Sequence, residues 1–214
     1  MHIPLDRLDA AFLAAGSIAL GLIRRSEISD QWAAPSVLPK MSVGALACHL
    51  GRQPVRAAEL LPVATDVLPL DSADAHYDSA AWVTSSSPDD LPNDRSADDA
   101  EAELGPGALN DRTVAALVAV RRLLGAGSAR NVVLIPWQGW SLVRGDFLLT
   151  RMLEIVVHCD DLAISVGVPT PEFPDEVFAP VRDLLVRLAV GRHGQSAVIS
   201  TLTRRERSTQ ISAF

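Results

Sequence analysis

The sequence predicts an all-α fold: a four-helix bundle with one long crossover connection, a short extended segment near 131–135 and extra C-terminal helices. Three observations support this prediction. Apolar residues recur at intervals of three and four over several long segments, as on the buried stripe of a helix. A long acidic stretch separates the second of these segments from the third. With 48% hydrophobic and 21% charged residues, the 214-residue chain has a globular composition, and we expect one domain over 1–214.

The first two helices are indicated by apolar stripes and by a capping residue. Leucine, alanine and phenylalanine recur on one face between residues 5 and 25, which predicts the first helix. Pro39 ends an extended approach, and Ser42 is placed to cap a second helix over about 43–61. His49 lies in the second turn of that helix.

Residues 66–103 form an acidic connection rich in serine, aspartate and proline. The segment holds 11 acidic residues and one arginine, so the rest of the chain carries a net charge of about +3. This charge argues against nucleic acid as a partner, and no basic aromatic patch occurs elsewhere. With breaks expected at Pro88 and Pro92, the length predicts a crossover or a partly ordered lid. We interpret His76 and Tyr77 as ordinary loop residues.

The remaining elements follow from turn and capping residues. The third helix is expected to begin between residues 94 and 109, with a firm part over 109–124 that ends at Gly125 and Gly127. Residues 131–135 are β-branched and apolar, which predicts an extended segment, and 136–141 read as a turn. Asp146 is the expected cap of a fourth helix that ends at Gly167. An amphipathic helix over 175–192 and a short final helix follow.

The fourth helix carries a polar stripe in an otherwise apolar sequence. Arg151, Glu154, His158 and Asp161 are spaced by 3, 4 and 3, so they share one face. Glu154 and His158 at i and i+4 can converge on one ion, and His49 would add a second imidazole. Three such ligands leave a position open for water, as in catalytic zinc sites. The alternatives are a solvated helix face for the stripe and an ordinary hydrogen-bonded histidine for His49.

Two segments resemble a known family. Residues 32–50, W-x-x-P-S-x-L-P-x-M-S-V-x-x-L-x-x-H-L, resemble the first metal-binding segment of the mycothiol-dependent maleylpyruvate isomerase N-terminal domain family, part of the DinB-like group. Residues 151–167, R-x-x-E-x-x-x-H-x-x-D-L-A-x-x-x-G, resemble its second. The resemblance implies a DinB-like bundle that holds a divalent metal, usually zinc, through His49, Glu154 and His158. Mycothiol is then the implied thiol co-substrate.

The resemblance has one expected departure. Characterised isomerases of this type carry a second, C-terminal domain that contributes a functional arginine. We expect no comparable domain here, because the sequence ends at Phe214 soon after the helical region. Maleylpyruvate isomerisation itself is therefore not transferred to this chain.

Several neighbours of these ligands are candidates for further roles. Asp161 can accept a hydrogen bond from an imidazole N–H, or else lie on the surface or pair with Arg151. Arg151 can anchor a substrate carboxylate, or else form a structural ion pair. Trp137 and Trp140 can line the mouth of a pocket, or else cap the bundle. The two cysteines, Cys48 and Cys159, are expected to pack in the core, with a rival role as thiolate ligands.

These residues support three functional hypotheses. The first is an enzyme whose metal activates a thiolate for attack on a small electrophile, giving a transferase or an isomerase. The second is a metal-binding bundle without chemistry of its own, acting as a sensor or interaction module. The third is a hydrolase that uses metal-activated water. No secretory signal or membrane span is apparent, so we expect a cytoplasmic protein, with a homodimer possible. One lysine against 18 arginines suits a GC-rich genome, such as that of an actinobacterium.

Overall fold

The computed structural model describes residues 4–84 and 96–214. The described part is 67% helical and has nine helices and one two-stranded sheet, which confirms the all-α prediction. The helices are α1 (Leu5–Ile23), α2 (Ser26–Asp30), α3 (Val43–Leu60), α4 (Ala73–Ser79), α5 (Ser96–Ala102), α6 (Gly105–Gly125), α7 (Arg144–Val166), α8 (Asp175–His193) and α9 (Gln195–Thr203). The strands are β1 (Val132–Ile135) and β2 (Trp140–Val143).

Four long helices, α1, α3, α6 and α7, form the bundle. Helix α3 packs against α6 and α7, and α1 packs on the same two helices from the other side. Their apolar stripes meet in one core, where Phe12, Leu46 and Phe147 are fully buried. Each such side chain contributes about 1.5–3 kcal/mol relative to an exposed one. This core fixes α3 and α7 against each other, and both helices carry the polar residues considered below.

The ends of α3 and α7 show which capping predictions were right. The Ser42 hydroxyl accepts a hydrogen bond from the amide of Ala45, which confirms the cap of α3. Gly167 ends α7 in a left-handed conformation with φ of 73°, as glycine permits. The prediction that Asp146 caps α7 was wrong. The helix begins two residues earlier, at Arg144, because β2 runs directly into it, and Asp146 lies in the first turn.

The extended segment is one strand of a small antiparallel hairpin. Strand β1 pairs with β2 in the register that joins Val132 to Val143 and Ile135 to Trp140. The interpretation of 136–141 as a turn was therefore wrong at its end, where Trp140 and Ser141 belong to β2. A strand of four residues that leads straight into a helix leaves too short a period-2 pattern to recognise.

The acidic connection contains two short helices. Helix α4 packs on α7 and α8, and its His76 and Tyr77 are buried, so their interpretation as loop residues was wrong. Helix α5 packs on α3 and buries Asp98. The third bundle helix, α6, begins at Gly105 with Pro106 in its first turn. The breaks predicted at Pro88 and Pro92 lie outside the described residues.

The chain after α7 forms the extra helices that the sequence predicts. Helix α8 packs on α1, α4 and α7, and α9 packs on α8. Among the described residues, no helix combines the length and the apolar character needed to cross a bilayer.

Candidate metal centre

Helices α3 and α7 bring His49, Glu154 and His158 together. One ligand atom from each residue lies within 4.8 Å of the others. The Glu154 Oε2 atom is 3.5 Å from His49 Nε2 and 3.3 Å from His158 Nε2. The three side chains are 16–23% exposed, so the polar stripe faces the neighbouring helix and is not an open solvated face.

The chemistry and spacing of these atoms fit a divalent metal. Two imidazole nitrogens and one carboxylate oxygen form a donor set that zinc accepts. Bonds of about 2.0–2.2 Å in tetrahedral geometry place donor atoms about 3.3–3.6 Å apart. Both measured contacts of Glu154 with the histidines fall in or near that range. Three protein ligands also leave one tetrahedral position for an exogenous group.

A carboxylate lies behind each imidazole. His158 Nδ1 is 2.9 Å from Asp161 Oδ2, and His49 Nδ1 is 3.1 Å from Asp98 Oδ2. An ionised carboxylate can only accept, so each Nδ1 carries the proton in these contacts. The unprotonated nitrogen of a neutral imidazole is then Nε2, on the side of Glu154. Such outer carboxylates fix the tautomer and orientation of ligating histidines.

Asp98 is a functional candidate that the sequence interpretation missed. It lies on α5, is 2% exposed, and is held by Arg52, whose Nη2 is 2.8 Å from Asp98 Oδ1. Arg52 also pairs with Glu101 at 3.1 Å, which ties α5 to α3 a second time. Asp98 is one of many acidic residues in its segment, and no spacing within α5 singles it out. Only the packing of α5 on α3 shows its role.

The charges within the cluster support one another. Burial by itself raises the pKa of Glu154, but contacts with His158 and His49 and the charge of Arg151 outweigh it. The pKa of Glu154 therefore lies well below its usual value, and the group is an anion. For His158, burial lowers the pKa, while hydrogen bonding to Asp161 and Glu154 raises it, with a net result of about 9. This cluster of acceptors around two imidazoles attracts a positive charge, whether a proton or a metal ion.

Arg151 is placed at the side of the triad and not in an ion pair with Asp161. Its Nη1 donates to Gln53 Oε1 at 3.0 Å, and its Nε donates to Thr150 Oγ1 at 3.3 Å. Gln53 in turn donates to the backbone oxygen of His49 at 3.0 Å. Arg151 thus reaches the ligand His49 through a single glutamine.

The two tryptophans have different surroundings. Trp137 lies in the hairpin turn, is half exposed, and stacks on Arg56, whose Cζ is 4.3 Å from the ring centroid. Trp140 lies on β2, and its indole N–H donates to His76 Nδ1 at 3.1 Å. Burial and the charge of Arg151 lower the pKa of His76 to about 4, so this imidazole is neutral and can accept that bond. Of these two tryptophans, Trp137 is the one with an exposed ring.

The cysteines pack in the core, as expected. Cys48 and Cys159 are fully buried, and burial raises the pKa of each thiol to about 12. Both are therefore neutral thiols near pH 7, which disfavours them as thiolate ligands. Within the described residues, the cluster of possible metal ligands contains neither cysteine.

The bundle and its His–Glu–His cluster define a DinB-like helical domain with the residues of a metal site. The model of the mycothiol maleylpyruvate isomerase N-terminal domain family matches residues 13–163, which is more than half of the chain. The protein belongs to that family. The match spans all three residues of the triad. Comparisons with curated proteins and with solved structures found no match.

Proposed function

We propose that this protein is a metal-dependent thiol transferase or isomerase that uses zinc or a similar divalent ion. The observation that carries the proposal is the convergence of two Nε2 atoms and one carboxylate oxygen on a common position. A closed structural zinc site has four protein ligands, whereas three leave a position for a reactant. Within the part of the chain that the structure describes, no fourth ligand joins this cluster.

A metal held by His49, Glu154 and His158 would supply positive charge that favours loss of the proton from a thiol bound there. The protein residues prepare that position. Asp98 and Asp161 hold the two imidazoles with Nε2 turned toward Glu154, and Glu154 contributes the negative charge that binds a cation. In the proposed reaction the thiol loses its proton to solvent, and its sulfur forms a bond to an electrophilic carbon. Protonation of the adjacent carbon completes a transfer, whereas loss of the same thiolate after bond rotation completes an isomerisation.

Membership of the family supports mycothiol as the thiol, and the donor set of two imidazoles and one carboxylate supports zinc or a similar divalent ion. Trp137 is the better candidate of the two tryptophans for contact with the thiol, because its ring is half exposed and Trp140 is engaged with His76. The hydrolase alternative has less support. A hydrolase needs a free base near the water, and Asp98 and Asp161 are both occupied by histidine N–H groups.

The first test is metal content by elemental analysis of untagged protein, for wild type, His158→Ala and His193→Ala. His193 lies at the end of α8, outside the cluster, and serves as the matched control. We expect about one divalent ion per chain in wild type and the control, as one three-ligand site implies, and a loss of metal in His158→Ala. Wild-type protein that stays metal-free after dialysis against zinc would contradict the proposal.

Chemistry is then tested with the zinc-loaded protein, mycothiol and a panel of activated alkenes and halides. We expect turnover that needs the thiol and that disappears in His158→Ala. Hydrolysis without any thiol would favour the hydrolase, and bound metal without turnover of either kind would favour the sensor or interaction module.

A further inference from the structure

Arg56 lies near the candidate metal site, and no carboxylate among the described residues forms a hydrogen bond or an ion pair with it. It lies seven residues after His49 on α3, and therefore on the same helical face. Its guanidinium stacks on Trp137 at 4.3 Å. Within residues 4–84 and 96–214 the structure records neither a hydrogen bond nor an ion pair for it. Stacking stabilises a cation but leaves the N–H donors of the guanidinium without acceptors.

Arg151 likewise forms no ion pair with a carboxylate among the described residues, although its charge lowers the pKa of Glu154. Only neutral oxygens, from Gln53 and Thr150, accept hydrogen bonds from it. In the described part of the chain, the Nη2 atom of Arg151 has no hydrogen-bond acceptor. This nitrogen is not among the fully buried side-chain atoms without a partner, so it is not completely enclosed. The residue as a whole is only 5% exposed.

The two arginines are neighbours across the helix pair. His49 contacts Glu154 and His158, whereas Gln53, one turn later, contacts Arg151, so α3 and α7 run antiparallel. Arg56 lies about one turn beyond Gln53 on α3. It is therefore on the side of α3 that faces Arg151 of α7. Burial, followed by repulsion from Arg151 and Arg52, lowers the pKa of Arg56 to about 10.

Other arginines around the site are paired, which makes these two exceptional. Arg52 pairs with Asp98 and Glu101, and Arg112 also pairs with Glu101. The charges of Glu154 and Asp98 partly offset the repulsion that Arg56 experiences, but within the described residues neither carboxylate forms an ion pair with Arg56 or Arg151. A metal ion bound by the single negative charge of Glu154 would increase the positive charge further. The arrangement is typical of a site that receives its anion from a ligand.

We infer that Arg56, two helical turns after His49, and Arg151, one turn before Glu154, form an anion subsite beside the triad, which holds the carboxylate of a small organic acid. A guanidinium fork matches the two oxygens of a carboxylate, and two forks can clamp it. Trp137 supplies an apolar face beside the clamp. The inference rests on the proposed function. A reactant whose carboxylate is bound here extends toward the triad, where its other end takes part in the proposed reaction.

The test uses cobalt-loaded protein and two thiols of the same length, 4-mercaptobutyrate and its neutral amide. A sulfur-to-cobalt charge-transfer band reports whether the thiol reaches the metal, and calorimetry gives each dissociation constant. We expect the acid to bind wild type about tenfold or more tightly than the amide, as for a charge-assisted hydrogen bond. Arg56→Met should abolish this preference, and Arg56→Lys should retain part of it.

Arg121→Met is the matched control, because Arg121 is an exposed arginine on α6, and it should keep the full preference. Circular dichroism checks the fold of each variant, and Arg151→Lys provides a second, milder change. Equal binding of acid and amide to wild type, with the band present, overturns the subsite and leaves the thiol function standing.

Absence of the band with both thiols overturns the thiol function instead. The subsite is then tested by comparing the dissociation constants of glutarate and glutaramide on the same protein. A preference for glutarate that Arg56→Met removes supports the subsite, and equal binding overturns it.

Discussion

At the scale of single residues, the carboxylates that contact the two imidazoles determine which ring nitrogen faces Glu154. Asp161 comes from the same helix as His158, three residues later, so its position follows from local sequence. Asp98 comes from α5, 49 residues away from His49. The first contact persists whenever α7 is helical, whereas the second needs α5 to be docked on α3. The orientation of His49 therefore depends on tertiary structure.

We predict that Asp98→Asn weakens zinc binding about 10–100-fold, as for other outer-shell partners of ligating histidines. The neutral amide is a weaker acceptor for the His49 N–H and also loses the ion pair with Arg52. The measurement is competition with a chromophoric chelator at one fixed pH.

The neighbouring Asp99 provides the control for this change. It is exposed on the same short helix, and Asp99→Asn should leave zinc affinity unchanged. Of the two variants, only Asp98→Asn should alter the absorption spectrum of the cobalt-loaded protein, because only this substitution alters the orientation of a ligand. Equal zinc affinities for the two variants would show that His49 is positioned without Asp98.

At the scale of elements, α5 depends on a tryptophan from the segment before α3. The indole N–H of Trp32 donates to the backbone oxygen of Ala102, the last residue of α5, at 2.9 Å. The ring lies directly over Gly44, where an added Cβ would be 2.6–2.8 Å from the indole atoms. Glycine is needed here for close approach, and this contact connects the start of α3 to the helix that carries Asp98.

We therefore predict that Gly44→Ala destabilises the protein by about 1–2 kcal/mol, because overpacking costs more than alanine gains in helix propensity. The indole is rigid and has to move, which weakens its hydrogen bond to α5. Urea unfolding measures the change in the free energy of unfolding.

Gly191→Ala in α8 is the control, since its new Cβ would meet nothing within 4 Å. Alanine there should be neutral or stabilise by about 0.4–1 kcal/mol. A Gly44→Ala protein as stable as the Gly191→Ala protein would show that Trp32 can move without loss.

The elements also show what the sequence could and could not predict. The long helices were predictable because each repeats its apolar period over several turns, and Ser42 and Gly167 marked two ends correctly. The seven-residue α4 and α5 and the four-residue β2 were missed, because such lengths hold fewer than two or three repeats. The i, i+4 spacing of Glu154 and His158 and the family resemblance led to the triad, but the proposed roles of Asp98 and Arg56 become visible only when helices distant in sequence pack together.

At the scale of the whole molecule, the candidate metal site brings together residues from three helices. His49 lies on α3, Glu154 and His158 lie on α7, and Asp98 brings in α5. An ion bound at the triad contacts two bundle helices directly and orders a third through hydrogen bonding. Because the unfolded chain does not assemble this site, metal affinity would contribute to the free energy of folding if an ion binds here.

We predict that removing the metal with a chelator lowers the Tm of the protein and that zinc restores it. Free zinc at 100 times its Kd stabilises a folded protein by about 2.7 kcal/mol, if it does not bind the unfolded chain. For a chain of this size each kcal/mol shifts the Tm by about 2–4 °C, so the expected shift is about 5–10 °C. Calorimetry at several zinc concentrations measures it. His158→Ala should lose this zinc dependence, whereas His193→Ala should keep it. A wild-type Tm that is independent of zinc would mean that the three side chains meet without binding an ion.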